Sequence, residues 1–167
     1  LIGAGWAAAF AGAGLETRVV DPDPGASFRV AGTWEQARGV LARLGTLADG
    51  ARPPAVVATF PQGDVDLVQE ALPENLQLKQ RVLADVERRA GREAIIASSS
   101  SSFTADAIAA GLERQDRLMI GHPCNPPYLM PVVEIAGGTA TSAHAMATAR
   151  AIYEAMGKTV LELRKPV

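Results

Sequence analysis

Apolar runs of strand length alternate with stretches of helical periodicity along the whole chain of 167 residues. This alternation is typical of a mostly parallel sheet covered by helices on both faces, so we expect an α/β domain with a doubly wound sheet. The predicted strands are residues 16–21, 55–59, 66–71, 94–97, 118–121, 132–136 and 159–163. The predicted helices are residues 6–13, 33–48, 75–90, a short one through Ala110, and 142–156, and a proline-rich turn is expected at 123–131.

Composition and charge exclude several classes of partner. With 16 Lys and Arg against 18 Asp and Glu, no basic stripe is available to follow a nucleic-acid backbone. The apolar stretch Trp6–Leu15 is much shorter than the roughly 20 residues of a membrane span. The single Cys124 and the lack of a secretory leader at the start of the sequence favour a cytoplasmic location. We predict no metal site.

Two glycines near the start of the chain, Gly3 and Gly5, precede a predicted strand that ends on Asp21. A dinucleotide site needs glycines where a strand turns into a helix, followed by an acid for the ribose hydroxyls. Only two residues precede Gly3, so we interpret it as the third glycine of a G-x-G-x-x-G motif that begins upstream. The alternative is that both glycines only allow close helix packing.

This interpretation has consequences for the sheet and for the cofactor. We expect residues 1–167 to be one Rossmann-type domain, truncated at both ends and lacking its first strand, with an apolar surface exposed in that strand's place. No basic residue follows Asp21 until Arg29, so the 2'-phosphate of NADP has no evident partner. We therefore predict NAD as the cofactor.

Three segments further along the chain carry a family resemblance: DLVQEALPEN at Asp66–Asn75, AIIASSSSSF at Ala94–Phe103 and GHPCNPPYLMPVVE at Gly121–Glu134. Together they resemble the NAD-binding domain of the 3-hydroxyacyl-CoA dehydrogenase family over nearly the whole chain. Trp6, the serine run and the His-Pro-x-Asn-Pro-Pro string are most similar to the branch of L-gulonate 3-dehydrogenase, lambda-crystallin and carnitine dehydrogenase.

The chain differs from the fatty-acid members of the family at two places. Those members more often have Asn-Thr at Ser99-Ser100 and two aromatic residues at Pro123-Cys124. The resemblance therefore implies NAD-dependent oxidation of either an L-3-hydroxyacyl-CoA or a free 3-hydroxy acid to the 3-keto compound. It also implies a second, helical domain that is absent from this chain and supplies dimer contacts, so we expect a homodimer for the intact protein and little activity for the fragment.

The resemblance assigns a role to each matching residue. His122 falls on the catalytic histidine, Glu134 on its carboxylate partner and Ser101 on the serine that hydrogen-bonds the substrate oxygen. The cofactor residues implied are Asp21, Glu74, Lys79 and Asn125, the last beside the nicotinamide, and they add to Gly3 from the glycine motif. These residue types suit the chemistry, because an imidazole accepts the hydroxyl proton near neutral pH and a carboxylate on its other nitrogen stabilises the resulting imidazolium.

Several of these residues also have a structural interpretation. A histidine before a proline-rich turn is often structural, Glu74 is favourable charge at a helix start, and Lys79 is a candidate for a solvated helix face. The serine run resembles a linker, although its position before a helix suggests that some serines cap that helix. Cys124 is more consistent with packing than with a nucleophile, and His144 with an exposed helix position. A noncatalytic dinucleotide-binding domain, like lambda-crystallin, or a purely structural domain also stays open.

Overall fold

The computed structural model describes residues 1–60, 63 and 65–163. In these described residues, five helices and seven strands follow one another in the predicted order, with a short 3-10 turn before β5. The elements are α1 (Ile2–Gly12), β1 (Arg18–Val20), α2 (Ala26–Leu44), β2 (Ala55–Val57), β3 (Leu67–Glu70), α3 (Leu76–Arg89), β4 (Ile95–Ser98), α4 (Ala105–Ala109), β5 (Leu118–Pro123), β6 (Val132–Gly137), α5 (Ala143–Ala155) and β7 (Thr159–Glu162).

Helix α2 begins seven residues earlier than predicted and ends four residues earlier. Its buried face starts at Ala26 and Val30, which lie about two turns and one turn before Trp34 and extend the same apolar stripe. The helix ends because Gly45 adopts a left-handed conformation with φ of +68°, which glycine reaches without steric cost. Helix α1 also starts earlier than predicted, so Gly3 and Gly5 lie inside it.

The strands form two sheets. Strands β1 and β2 make a parallel pair, and the second sheet has the order β3-β4-β5-β6-β7. All neighbours in the second sheet are parallel except β5 and β6, which the proline-rich turn between them makes antiparallel. This arrangement confirms the predicted α/β class with a mostly parallel sheet.

One edge of β1 and one edge of β3 have no strand partner among the described residues, and helix α1 contacts both strands. Leu67 and Val68 on β3 are only partly buried, whereas β4 beside it is wholly buried. Val20 on β1 is exposed. This apolar exposure lies where a doubly wound sheet has its central strand, and the upstream strand stays a prediction.

The core has two parts, one on each face of the larger sheet. Residues Ile95, Ala97 and Met119 point toward α1 and α5, whereas Ile96 and Ile120 point toward α3 and α4. Successive side chains of a strand alternate between faces. The alternation puts His122 on the α3–α4 face and Gly121 on the α1–α5 face, which separates two groups of polar side chains described below.

The starts of α3, α4 and α5 are capped by polar side chains, but not by the serine run. Asn75, Thr104 and Ser142 each accept a hydrogen bond from a backbone amide in the first turn of α3, α4 and α5. The prediction that serines of the run cap α4 is wrong, because Thr104 occupies that position. Ser100 instead accepts from the amides of Ser102 and Phe103, and so forms a turn ahead of the helix. Within the described ranges, no helix is long and apolar enough to cross a bilayer.

Candidate active site

His122 on β5 and Glu134 on β6 are directly paired in the antiparallel ladder. The Nδ1 atom of His122 lies 2.9 Å from Oε2 of Glu134, and the side chains are 33% and 36% exposed. An ionised carboxylate only accepts hydrogen bonds, so we assign the Nδ1 proton as the donor. The other ring nitrogen, Nε2, is thereby left to accept a proton from a ligand.

A small cavity of about 90 Å³ adjoins this pair. Its lining combines polar groups on β5, β6 and the serine run with apolar side chains: Ser100, Ser101, Phe103, Ile120, His122, Glu134 and Leu163. The three residues predicted to be catalytic therefore line one cavity at the carboxyl end of β4. A larger groove of about 290 Å³ between α2 and the segment before β2 contains none of the predicted site residues.

The Glu74 carboxylate holds the serine run in place. Its Oε1 atom accepts from the backbone amide of Ser101 at 2.8 Å, and its Oε2 atom accepts from the Ser100 hydroxyl at 2.9 Å. The Ser101 hydroxyl lies 3.5 Å from Oε1. Glu74 thus contributes more than charge at the start of α3, since it fixes the backbone from which Ser101 projects.

The same contacts shift the ionisation of Glu74. Partial burial raises the pKa of Glu74, but hydrogen bonds from Ser101 and Ser100 and the positive charge of Lys79 together outweigh burial. The net pKa of Glu74 is therefore lowered from its ordinary value of 4.5. The charged form is the one that holds the serine run.

Lys79 is almost completely buried, with 1% of its surface exposed, so its interpretation as a solvated helix position is wrong. Its Nζ atom lies 2.8 and 3.1 Å from the two carboxylate oxygens of Glu70 and 3.1 Å from the Leu72 carbonyl oxygen. The ammonium group is also 3.7 Å from Glu74. Lys79 neutralises a buried acid, which is the usual reason for a lysine to leave water.

Glu70 was missed by the sequence analysis. It ends β3 and is 5% exposed, and it also accepts a hydrogen bond from the Ser98 hydroxyl on β4. The only sequence signal is an acid at a strand position that should face the interior. Through Lys79, Glu70 is connected to Glu74 and hence to the serine run.

At the other end of the domain, Asp21 follows β1 directly, and its side chain is 40% exposed. Arg29, in the first turns of α2, lies with its guanidinium 3.7 Å from Asp21 and 2.8 Å from Asp23. The sequence showed no evident partner for a 2'-phosphate, but the fold brings the guanidinium of Arg29 close to Asp21. The first turn of α2 folds back toward the end of β1, so Arg29 lies next to Asp21 although the two are eight positions apart in the sequence.

The two N-terminal glycines pack against different neighbours. A Cβ atom on Gly3 would make ordinary van der Waals contact with Ala71, at 3.4 Å. A Cβ atom on Gly5 would lie 2.6 Å from Cδ of Pro127, which is closer than side chains tolerate. The close-packing interpretation therefore applies to Gly5, which allows α1 to touch the proline-rich turn.

The proline-rich turn carries the remaining predicted residue, Asn125, which is exposed and precedes a cis peptide bond to Pro126. Lys158, missed by the sequence analysis, donates hydrogen bonds to the carbonyl oxygens of Pro127 and Met130. Burial lowers the pKa of Lys158. Lys158 therefore fixes the turn that joins the strands bearing His122 and Glu134.

Comparisons with known proteins agree with this architecture. A model of the family described as "3-hydroxyacyl-CoA dehydrogenase, NAD binding domain" matches residues 1–166. Proteins named L-carnitine dehydrogenase are among the relatives. The one from Streptomyces coelicolor is 40% identical to this chain over 171 residues, which cover 100% of this chain and 54% of that protein. The one from Mesorhizobium japonicum is 36% identical over 174 residues, which cover 100% of this chain and 47% of that protein.

Solved structures resemble it as well. An NAD⁺-dependent 5-formyl-3-hydroxy-2-methylpyridine 4-carboxylic acid 5-dehydrogenase has a TM-score of 0.92 at 28% identity, over 99% of this chain and 55% of that one. The (S)-3-hydroxybutyryl-CoA dehydrogenase of Ralstonia eutropha has a TM-score of 0.86 at 28% identity, over 96% of this chain and 59% of that one. The chain spans about half the length of its relatives. It belongs to the 3-hydroxyacyl-CoA dehydrogenase family, whose NAD-binding domain it contains.

Proposed function

We propose that the intact protein oxidises the C3 hydroxyl of an L-3-hydroxy acid, free or as a CoA thioester, to a ketone with NAD as the cofactor. The observation that carries this proposal is the His122–Glu134 pair, 2.9 Å apart, in one cavity with Ser101. Relatives named L-carnitine dehydrogenase and 3-hydroxybutyryl-CoA dehydrogenase support a 3-hydroxy substrate. The same resemblance leads us to propose a cytoplasmic homodimer.

His122 is the base in this proposal. Its Nε2 atom accepts the proton of the substrate hydroxyl, while Glu134 holds Nδ1 in the donor tautomer and stabilises the imidazolium that forms. Ser101 donates to the same substrate oxygen and positions it. A bound NAD would supply the acceptor for the hydride on the carbon that carries this hydroxyl.

Residues of this chain fit the adenosine half of NAD. Asp21 stands at the carboxyl end of β1 and keeps its carboxylate partly exposed, as a group that binds ribose hydroxyls must. Helix α1 precedes β1 in the chain and starts with small residues, which allow a ligand to approach its first turn. Arg29 lies beside Asp21, but the two negative charges of Asp21 and Asp23 outweigh its single positive charge. The net negative charge at this place favours the ribose hydroxyls of NAD over the 2'-phosphate of NADP.

The cavity is too small for a whole substrate. About 90 Å³ holds the reacting carbon and its nearest neighbours, whereas sites for complete small ligands usually exceed roughly 300 Å³. No lysine or arginine side chain lines the cavity within the described part of the chain. We therefore propose that the acid or thioester end is bound by the helical domain that the family resemblance implies.

The test is an assay of the full-length protein for NADH formation with L-carnitine, L-gulonate and 3-hydroxybutyryl-CoA. His122→Gln should lower kcat/KM by about 10²- to 10⁴-fold, the usual contribution of a general base. His144→Gln is the matched control, because His144 is exposed on α5, away from the cavity, and should leave the rate unchanged.

Two results would change the conclusion. A His122→Gln enzyme as active as the wild type would remove the proposed mechanism. Binding of NADH without oxidation of any of the three substrates would favour the noncatalytic dinucleotide-binding alternative.

A further inference from the structure

A second hydrogen-bonded group lies on the face of the sheet opposite His122. Ser99 follows β4, and its Oγ atom lies 3.1 Å from Nε1 of Trp6 on α1 and 2.9 Å from Nε2 of Gln69 on β3. The same Gln69 nitrogen is 3.1 Å from the Gly121 carbonyl oxygen. The hydroxyl of Tyr153 on α5 is 2.5 Å from Oε1 of Gln69.

The donors and acceptors in this group follow from the residue types. The Gly121 carbonyl only accepts, so the amide nitrogen of Gln69 must face it, and the amide oxygen must face Tyr153. Tyr153 therefore donates. Complete burial raises the pKa of Tyr153 well above its ordinary value, which keeps this donor protonated.

Ser99 then accepts two hydrogen bonds. The indole nitrogen of Trp6 is only a donor, and the second proton on the Gln69 nitrogen is directed to the same Ser99 oxygen. Both acceptor positions of the hydroxyl are thereby occupied. Its own proton is then directed elsewhere, and none of the described residues is within hydrogen-bond geometry to accept it.

The position of Ser99 indicates what lies in that direction. It is partly exposed at the carboxyl end of β4, the edge at which open α/β sheets bind ligands. Ser99 contacts α1, whereas Ser98 points to the opposite face and donates to Glu70. A dinucleotide whose adenosine ribose is at Asp21 extends its other half over β3 to β5.

We propose that the Ser99 hydroxyl donates a hydrogen bond to an acceptor oxygen on the nicotinamide half of NAD, and that Trp6 and Gln69 direct it there. The inference rests on the proposed binding of NAD to this domain. It makes Ser99 a cofactor-binding residue distinct from Ser101, which lies with His122 on the other face. Gln69 is a positioning residue that links Ser99 to the Gly121 carbonyl next to His122.

The experiment measures dissociation constants by calorimetry on the full-length protein, with NADH and with ADP. ADP has the adenosine and the diphosphate but lacks the nicotinamide half. Ser99→Ala should weaken NADH binding about tenfold, the loss expected for one hydrogen bond to a ligand, and change ADP binding by less than about twofold. Ser99→Thr, which keeps the hydroxyl, should restore most of the NADH affinity.

Ser102→Ala is the matched control, since Ser102 is an exposed serine of the same run that lines no cavity with His122. It should bind both ligands as the wild type does. Ser99→Ala also removes the hydrogen-bond acceptor of Trp6 and Gln69, so it should lower the unfolding temperature. A general loss of structure would weaken the binding of ADP and NADH alike, whereas loss of the Ser99 contact should weaken only the binding of NADH.

Unchanged NADH affinity in Ser99→Ala would overturn the inference, and so would an equal loss of NADH and ADP affinity. A wild-type protein that binds neither ligand would instead overturn the proposed dinucleotide-binding function. The two failures are therefore distinguishable.

Discussion

Glu134 lies directly across the β5–β6 ladder from His122, and their side chains meet at 2.9 Å on the face covered by α3 and α4. The strand register sets this distance, because a slip by one residue would turn Glu134 to the opposite face. The turn between the strands is held by Lys158, which binds two of its carbonyl oxygens. The geometry of the pair therefore depends on a residue that touches neither side chain.

If the proposed function holds, replacing Glu134 by glutamine should lower kcat of the full-length protein by about 10²- to 10³-fold with little change in KM, because an amide cannot stabilise the imidazolium. Steady-state kinetics with the best of the three substrates measures this effect. Glu35→Gln, on the exposed face of α2, serves as the control. A fall in kcat no larger than that of the control would contradict the assigned role.

The lowered pKa of Glu74 predicts a pH-dependent contribution to stability. Since the pKa in the folded protein is below the ordinary value of 4.5, the stabilisation is fully present above pH 4.5 and is lost as the pH falls through the lowered pKa. Glu74→Gln should therefore be less stable than the wild type at pH 7, and the difference should shrink below about pH 4. Urea unfolding of the two proteins at pH 7 and below about pH 4 checks this prediction. The same difference in unfolding free energy under both conditions would refute it.

Lys79→Met should cost about 3–5 kcal/mol of unfolding free energy, because it leaves the Glu70 carboxylate buried without its counter charge. The double variant Glu70→Gln with Lys79→Met should regain most of this loss. Arg81→Met, at an exposed position of the same helix, should change stability by less than about 0.5 kcal/mol. Urea denaturation compares the three, and a single variant as stable as the control would show that the pair is unimportant.

Gly5→Ala should destabilise the domain by about 1–3 kcal/mol, because the added methyl group would overlap the rigid ring of Pro127. Gly39→Ala is the matched control, since the space around Gly39 on α2 is open and alanine favours a helix. Thermal unfolding should show opposite shifts for the two variants. Equal shifts in unfolding temperature for Gly5→Ala and Gly39→Ala would mean that α1 can move away from the proline-rich turn without loss of stability.

The position of Arg29 beside Asp21 predicts how a substitution of Asp21 changes the binding of NADPH. Asp21→Ser should strengthen NADPH binding at least about tenfold, because it removes one of the two acids that pair with Arg29 and lets the guanidinium bind the 2'-phosphate. The gain should vanish when Arg29→Ala is added and persist when Arg38→Ala, on the same helix, is added instead. Calorimetric titration with NADPH measures all three, and a gain that survives Arg29→Ala would exclude the guanidinium as the phosphate partner.

Local patterns predicted much of the fold. The order of strands and helices follows from apolar spacing, and the predicted start of α3 at Asn75 falls on the residue that caps the helix, one position before Leu76. The extra turns of α2 were missed because only Ala26 and Val30 mark its buried face before Trp34. The site residues His122, Glu134 and Ser101 came from a family resemblance, and their roles remain predictions.

The contacts that sequence could not predict are those between distant segments. Nothing near Glu70 in the sequence shows that it will be buried against Lys79 and Ser98. The grouping of Trp6, Gln69, Ser99 and Tyr153 likewise requires four elements to be packed together first. Such groups depend on the tertiary arrangement, which periodicity does not encode.

The domain has two halves, which meet where β1 and β3 each have an edge without a strand partner among the described residues. Helix α1 contacts both strands and joins the halves. A dinucleotide held by Asp21 on one side and Ser99 on the other would span this division and act as a brace. Its binding would then stiffen the whole domain rather than one loop, and cofactor occupancy would become part of the mechanical integrity of the protein.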